Sequence, residues 1–138
     1  MNNKKLSGLF YTAVLGVAVL SLGSCSEKKF NINGTITQAK DSVLYLENMS
    51  LNGPKAVDSV KLDENGNFEF KQKAPDAPEF YRLRIANQMV NLAVDSTENI
   101  TVKAAYPTMS ANYEVSGSEE CAKIRDLAYM QLALQRQI

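Results

Sequence analysis

Few side chains in this sequence could do chemistry. Of the thiol and imidazole side chains that most often act as nucleophile, general base or transition-metal ligand, it holds two cysteines, Cys25 and Cys121, and no histidine. Without an imidazole, neither a Ser-His-Asp site nor a Cys-His site can be assembled, and the commonest transition-metal ligand is missing. The cysteines are far apart and form no CxxC motif. Asp63, Asn65 and Asn67 start like a calcium loop. However, Gly66 takes the fourth place of that run instead of the sixth, and Ala74 stands where a bidentate glutamate is required. The run reads as a turn. Glu119 and Glu120 are adjacent, so on a helix they do not face each other; they suit a helix N-terminus better than an acid–base pair. Arg82 and Arg84 share one face of a strand and could grip an anion, although a solvated strand face explains them more simply. No catalytic residue, metal ligand or cofactor is indicated.

The surroundings of Cys25 are more specific. Lys4 and Lys5 precede an apolar run of 14 residues from Leu9 to Leu22, which two small residues and the cysteine then close. A basic start, an apolar stretch and a small-residue end are the layout of a secretory signal peptide, and the run is short of the roughly 20 residues that span a bilayer. Leu22-Gly23-Ser24-Cys25 resembles the lipobox of bacterial lipoproteins, in which a peptidase recognises Leu22, Gly23 and Ser24 and cuts before a cysteine that carries lipid. The resemblance implies that Cys25 is the lipid-attachment residue, that residues 1–24 are removed, and that the chain works in the cell envelope on a membrane tether.

Removing that segment leaves 114 of the 138 residues, enough for one small domain with a core. Losing Lys4 and Lys5 from the 15 basic residues leaves 13 against 15 acidic ones. Basic residues do not cluster, which argues against a nucleic-acid partner. With Cys25 acylated, Cys121 has no partner in the chain. Its expected place is a small buried position near a helix start, although a helix N-terminus would lower its pKa if it were reactive.

Residues 25–29 read as a polar tether. From Phe30 onward the apolar residues recur with period two. Phe30, Ile32, Gly34 and Ile36 alternate with Asn31, Asn33 and Thr35. Val43 to Leu46 is apolar on both faces and reads as a central strand. Asn52-Gly53-Pro54 marks a turn, and the phase slip near Asp58-Ser59 suggests a bulge in the third strand. Asn65-Gly66 predicts a tight hairpin that returns through Phe68 and Phe70. Prolines at 75 and 78 break the sheet. Tyr81, Leu83 and Ile85 alternate with Arg82 and Arg84. Val90 to Val94, Ile100 to Ala104, and Tyr113 with Val115 complete the series. This predicts a mainly β fold: an antiparallel β-sandwich of seven or eight short strands over residues 30–117, with Tyr45, Phe68, Phe70, Phe80, Tyr81 and Tyr113 as core aromatics. After Gly117 the period changes. Ser118 can cap a helix over 118–138, with a stripe of Cys121, Ile124, Leu127, Ala128, Leu134 and Ile138. That helix reads as a linker to a further domain or as a docking element for a protein partner.

Three Asp-Ser steps, at Ser42, Ser59 and Ser96, resemble the short acceptor motif for O-glycosylation of exported proteins in Bacteroides and its relatives. The same residues also suit turns and strand ends.

Across most of the chain past the tether, a further resemblance holds. Phe30-Asn31-Ile32-Asn33-Gly34, Val43-Leu44-Tyr45-Leu46, Asp58-Ser59-Val60, Gly66-Asn67-Phe68-Glu69-Phe70, Phe80-Tyr81 and Ser116-Gly117-Ser118 occur in an order that resembles the N-terminal β-rich domain of unknown function in Bacteroides-type thioredoxin-like lipoproteins. The resemblance implies a lipobox before the domain, a linker helix after it, and then a thiol–disulfide oxidoreductase domain of the TlpA/ResA type. It therefore implies an accessory role in redox homeostasis on the periplasmic side of the outer membrane. The redox domain and its CxxC are not among these 138 residues, and Cys121 does not match that motif, so no catalytic residue is carried over. The alternative is a stand-alone periplasmic or surface lipoprotein that binds a glycan or a protein.

Overall fold

A computed structural model describes residues 27–136. The expected signal peptide, with its recognition residues Leu22, Gly23 and Ser24, the expected lipid-attachment residue Cys25 and Ile138 lie outside the described residues. Eight strands follow in order: β1 (Lys29–Thr37), β2 (Val43–Ser50), β3 (Gly53–Lys61), β4 (Asn67–Lys73), β5 (Glu79–Ile85), β6 (Gln88–Val94), β7 (Asn99–Ala105) and β8 (Tyr113–Ser116). A 3-10 turn, Tyr106–Thr108, precedes β8, and one helix, α1 (Glu119–Arg136), ends the described chain.

The strands form two four-stranded sheets, in the orders β4-β1-β7-β8 and β3-β2-β5-β6. Pairing is antiparallel apart from β1 with β7, which run parallel. The core lies between the sheets and uses the predicted alternation. Phe30, Ile32 and Ile36 on β1 meet Leu44 and Leu46, Phe70, Leu83, Leu92, Ile100 and Val102, all nearly inaccessible to water. Phe30 and Tyr81 bring their rings to 5.0 Å across the gap. On the outer face of the first sheet, Asn33 donates to Asn99 at 2.6 Å, Thr35 to Asn67 at 2.9 Å, and Asn31 to Glu69 at 3.0 Å. A polar row thus closes the face that the sequence left wet.

Three expectations need correction. Asn65-Gly66 does turn the chain, with Gly66 at φ +72° and the Asp63 carboxylate accepting the N–H of both Asn65 and Gly66 at 3.0 Å. The turn does not make a hairpin, because β3 pairs with β2 and β4 pairs with β1. The Leu62 N–H donates to Ser42 C=O and Ile36 N–H to Gly66 C=O, so the corner carries the chain from one sheet to the other. Asn-Gly encodes a backbone shape and not the identity of the next partner. Secondly, Tyr45 and Phe80 are not core residues. Both have the same strand parity as the arginines; Tyr45 lies half-buried beneath Arg84, and Phe80 is 62% exposed. Thirdly, the helix stripe divides. Cys121 is buried, and Ile124, Arg125, Ala128, Tyr129 and Leu132 are half-buried, while Leu127, Met130 and Leu134 emerge on the opposite side, each more than half exposed. The expected bulge is real: the register shifts where Leu46 faces Asp58 and Glu47 faces Ala56, so Val57 is the extra residue.

The elements also give the sandwich two distinct ends. Lys29, Lys73, Glu79, Val94 and Asn99 lie at one end, joined by Asn31 N–H to Glu98 C=O. Thr37, Val43, Ile85, Gln88 and Tyr113 lie at the other, joined by Met89 N–H to the Ser110 hydroxyl.

Candidate functional site

The helix covers one open side of the sandwich, where β6 and β8 are the free edges of the two sheets. An edge strand presents unpaired N–H and C=O groups that must be satisfied or guarded. Two α1 side chains do this in the same way. The Cys121 thiol accepts from Ala93 N–H and donates to Ala93 C=O, both at 3.4 Å. The Tyr129 hydroxyl accepts from Tyr113 N–H and donates to Tyr113 C=O, both at 2.7 Å. Ser118 caps the helix as expected, accepting from Cys121 N–H at 3.2 Å. Cys121 is therefore fully buried and hydrogen-bonded, the structural role that its place near a helix start suggested. Burial, with Tyr129 and Cys121 as neighbours, pushes the Tyr113 phenol up to about 12.

A second constellation lies on the outer face of the β3-β2-β5-β6 sheet. Glu47 is directly opposite Arg82 and diagonal to Arg84. Its Oε1 takes the Arg82 Nε at 2.5 Å and the Arg84 Nε at 3.2 Å, and the Arg84 guanidinium lies 4.7 Å above the Tyr45 ring. Burial pushes the Glu47 carboxyl up, but the hydrogen bonds and charges of Arg82 and Arg84 outweigh it and hold the group below the usual glutamate range. The arginines noted in the sequence thus act as lids over a buried carboxylate. Two cations share one anion, and Arg84 Nη1 donates in addition to the Ala86 C=O at 3.1 Å. Glu47 itself escapes a sequence reading; its only signal is an acidic residue in phase with Tyr45, directly after the apolar run Val43 to Leu46.

The third feature sits where α1 leaves the sandwich. Pro78, Phe80, Ala93, Val94 and Ile124 enclose a cavity of about 440 Å³, and Asp95, Glu98 and Glu120 complete its lining. The Glu98 carboxyl is fixed by two short bonds, accepting from Asp95 N–H and Ser96 N–H at 2.6 Å. Burial raises its pKa, and those backbone donors outweigh the effect and lower it.

The three serines of the acceptor-like motif are not brought together. Ser59 is exposed on the edge strand β3, with Asp58 Oδ1 accepting its N–H at 2.8 Å. Ser96 is exposed in the β6–β7 turn, and Ser42 is half-buried at a corner at the opposite end of the sandwich.

Two facing sheets with a helix sealing one open side define the class: a small β-sandwich module. The chain belongs to the family described as Domain of unknown function (DUF4369), whose model matches residues 30–123. No curated protein and no solved structure matches it.

Proposed function

We propose that this chain is a lipid-anchored envelope module, non-catalytic in itself, that holds a thioredoxin-like thiol–disulfide oxidoreductase domain away from the membrane. The observation that carries the reading is the direction of α1. The helix starts beside Ala93 and Gly117, at the end of the sandwich where Lys29 enters, and fastens to Tyr113 at the opposite end. Nine residues of β1 cover about 30 Å, and the 18 residues of α1 cover about 27 Å. An anchor at Cys25 and a domain after the helix would be separated by the whole sandwich. The exposed Leu127, Met130 and Leu134 supply an apolar strip for that domain to rest on.

The buried, doubly bonded Cys121 supports the non-catalytic part, because a shielded thiol is a poor nucleophile. A thiol–disulfide exchange assay should show no turnover above a free-cysteine control, and turnover would overturn this part of the proposal. The anchoring part predicts that Cys25→Ala moves the chain from the membrane fraction to the soluble fraction of an expressing Bacteroides-type host. An unchanged distribution would remove the lipid tether.

A stand-alone binding lipoprotein is the second reading. It is favoured by the cavity beside Phe80, where an apolar wall is left open to solvent.

A further inference from the structure

We infer that the cavity between α1 and the β5–β6 outer face is a docking pocket for a lysine side chain of a protein partner. The inference extends beyond the anchoring role and does not depend on it. Its volume of about 440 Å³ falls in the range of roughly 300–1,000 Å³ typical of ligand sites. The walls suit an aliphatic stem. Phe80 stands on the β5 outer face directly opposite Ala93, with Pro78 before it and Ile124 across on the helix. Phe80 spends a large apolar surface on solvent, 62% of it exposed, in a domain that buries its other phenylalanines. Large exposed aromatics beside a concave surface mark contact sites.

The charge of the lining then selects the occupant. Asp95, Glu98 and Glu120 are acidic, and no lining residue is basic. Lys123 meets Glu120 at 3.5 Å, but both side chains are about two-thirds exposed, so this pair leaves the carboxylate available. Glu98 is committed to the Asp95 and Ser96 N–H groups, which fixes the β6–β7 turn and holds Asp95 at the rim. An apolar stem that ends in a cation matches both halves of the site: the stem lies along Phe80 and Ile124, and the ammonium reaches Asp95 and Glu120. A lysine does this with its four-carbon stem, whereas an acidic or purely apolar group would satisfy only one half.

The test compares Nα-acetyl-lysine amide with Nα-acetyl-norleucine amide, which share the stem and differ in the charge. Each is titrated into the isotope-labelled full chain in zwitterionic nanodiscs, and the backbone amide resonances are followed. The lysine compound should shift Phe80, Ala93, Glu120 and Ile124, and should bind about threefold or more tightly than the norleucine compound at low salt, with the advantage shrinking as salt rises. Phe80→Ala and Glu120→Gln alter exposed side chains and keep the fold, and each should weaken the lysine compound. Equal binding of the two compounds, shifts scattered over the surface, or no response up to the solubility limit would overturn the inference. None of these outcomes bears on the fate of Cys25→Ala.

Discussion

Glu47 is the residue whose surroundings differ most from what its type would suggest. It sits on the outward-facing side of a sheet and is nevertheless 6% exposed, because Arg82 and Arg84 close over it. Glu47→Gln would leave two guanidinium groups facing a neutral amide in a partly desolvated place, and should cost about 1–3 kcal/mol by chemical denaturation. A change within ±0.5 kcal/mol, the usual range for surface substitutions, would show that solvent already screens the cluster. The carboxyls of Glu47 and Glu98 both titrate below their ordinary value. The stability they contribute is therefore present above the unfolded-state pKa and is lost as pH falls through the lowered folded one. Acid unfolding of Glu98→Gln should be shallower than that of the unsubstituted chain. Cys121 gives a second residue-scale test. Cys121→Val keeps an apolar group but leaves the Ala93 N–H and C=O without partners, and should cost about 1–3 kcal/mol. In the folded chain a thiol reagent should leave Cys121 untouched and should label it only on unfolding.

At the scale of elements, β1 depends on a close approach that only glycine permits. A Cβ on Gly34, at φ +149°, would lie 1.8 Å from the Val102 carbonyl oxygen on β7. Gly34→Ala must push apart the one parallel pair among the described strands, so it should cost more than about 3 kcal/mol or prevent folding. Gly53→Ala, with nothing within 4 Å of its Cβ, is the control and should pay only backbone strain at φ +103°. The β5–β6 turn offers the reverse case. Ala86 has φ +51°, a region costly for any residue with a Cβ. Ala86→Gly should raise stability by about 0.5–1 kcal/mol, read as a higher midpoint in denaturant. The two exposed sides of the sandwich are guarded differently. On β6 and β8 the helix supplies hydrogen-bonding side chains, whereas β3 protects itself with a proline, lysines and the bulge at Val57.

For the whole molecule, the arrangement of ends has a measurable consequence. Spin labels on Lys29→Cys and Arg136→Cys should lie about 30–40 Å apart, from strand and helix rises over β1 and α1. A separation below about 20 Å would mean that the helix folds back toward the tether. At the far end of α1 the Tyr129 ring packs 6.0 Å from the ring of Tyr113, so ionising the Tyr113 phenol should weaken this contact. The Tyr113 phenol is raised from 10.0 to about 12, so the folded state holds this proton more tightly than the unfolded chain does. That part of the stability is full below the unfolded value and disappears as pH climbs through the folded one. Alkaline melting between those two values is the expected observation, followed by tyrosinate absorbance.

Much of the architecture is written in local spacing. Alternation placed Phe30, Ile32 and Ile36, then Leu83, Leu92 and Val102, on buried faces, because a pleated strand alternates its side chains whatever it pairs with. Ser118 ended the strand region and opened the helix for an equally local reason, the need to cap free N–H groups. What the spacing could not decide was partnership. The turn at Gly66 leads into the opposite sheet, β1 pairs in parallel with a strand some seventy positions away, and Leu127, Met130 and Leu134 of the helix face outward. Glu47 gained its arginines, and Phe80 the Ala93 and Ile124 walls of its cavity, from neighbours that are remote in the chain. Pairing, edge covering and cavity lining depend on long-range contacts, and these exist only once both sheets and the helix are packed together.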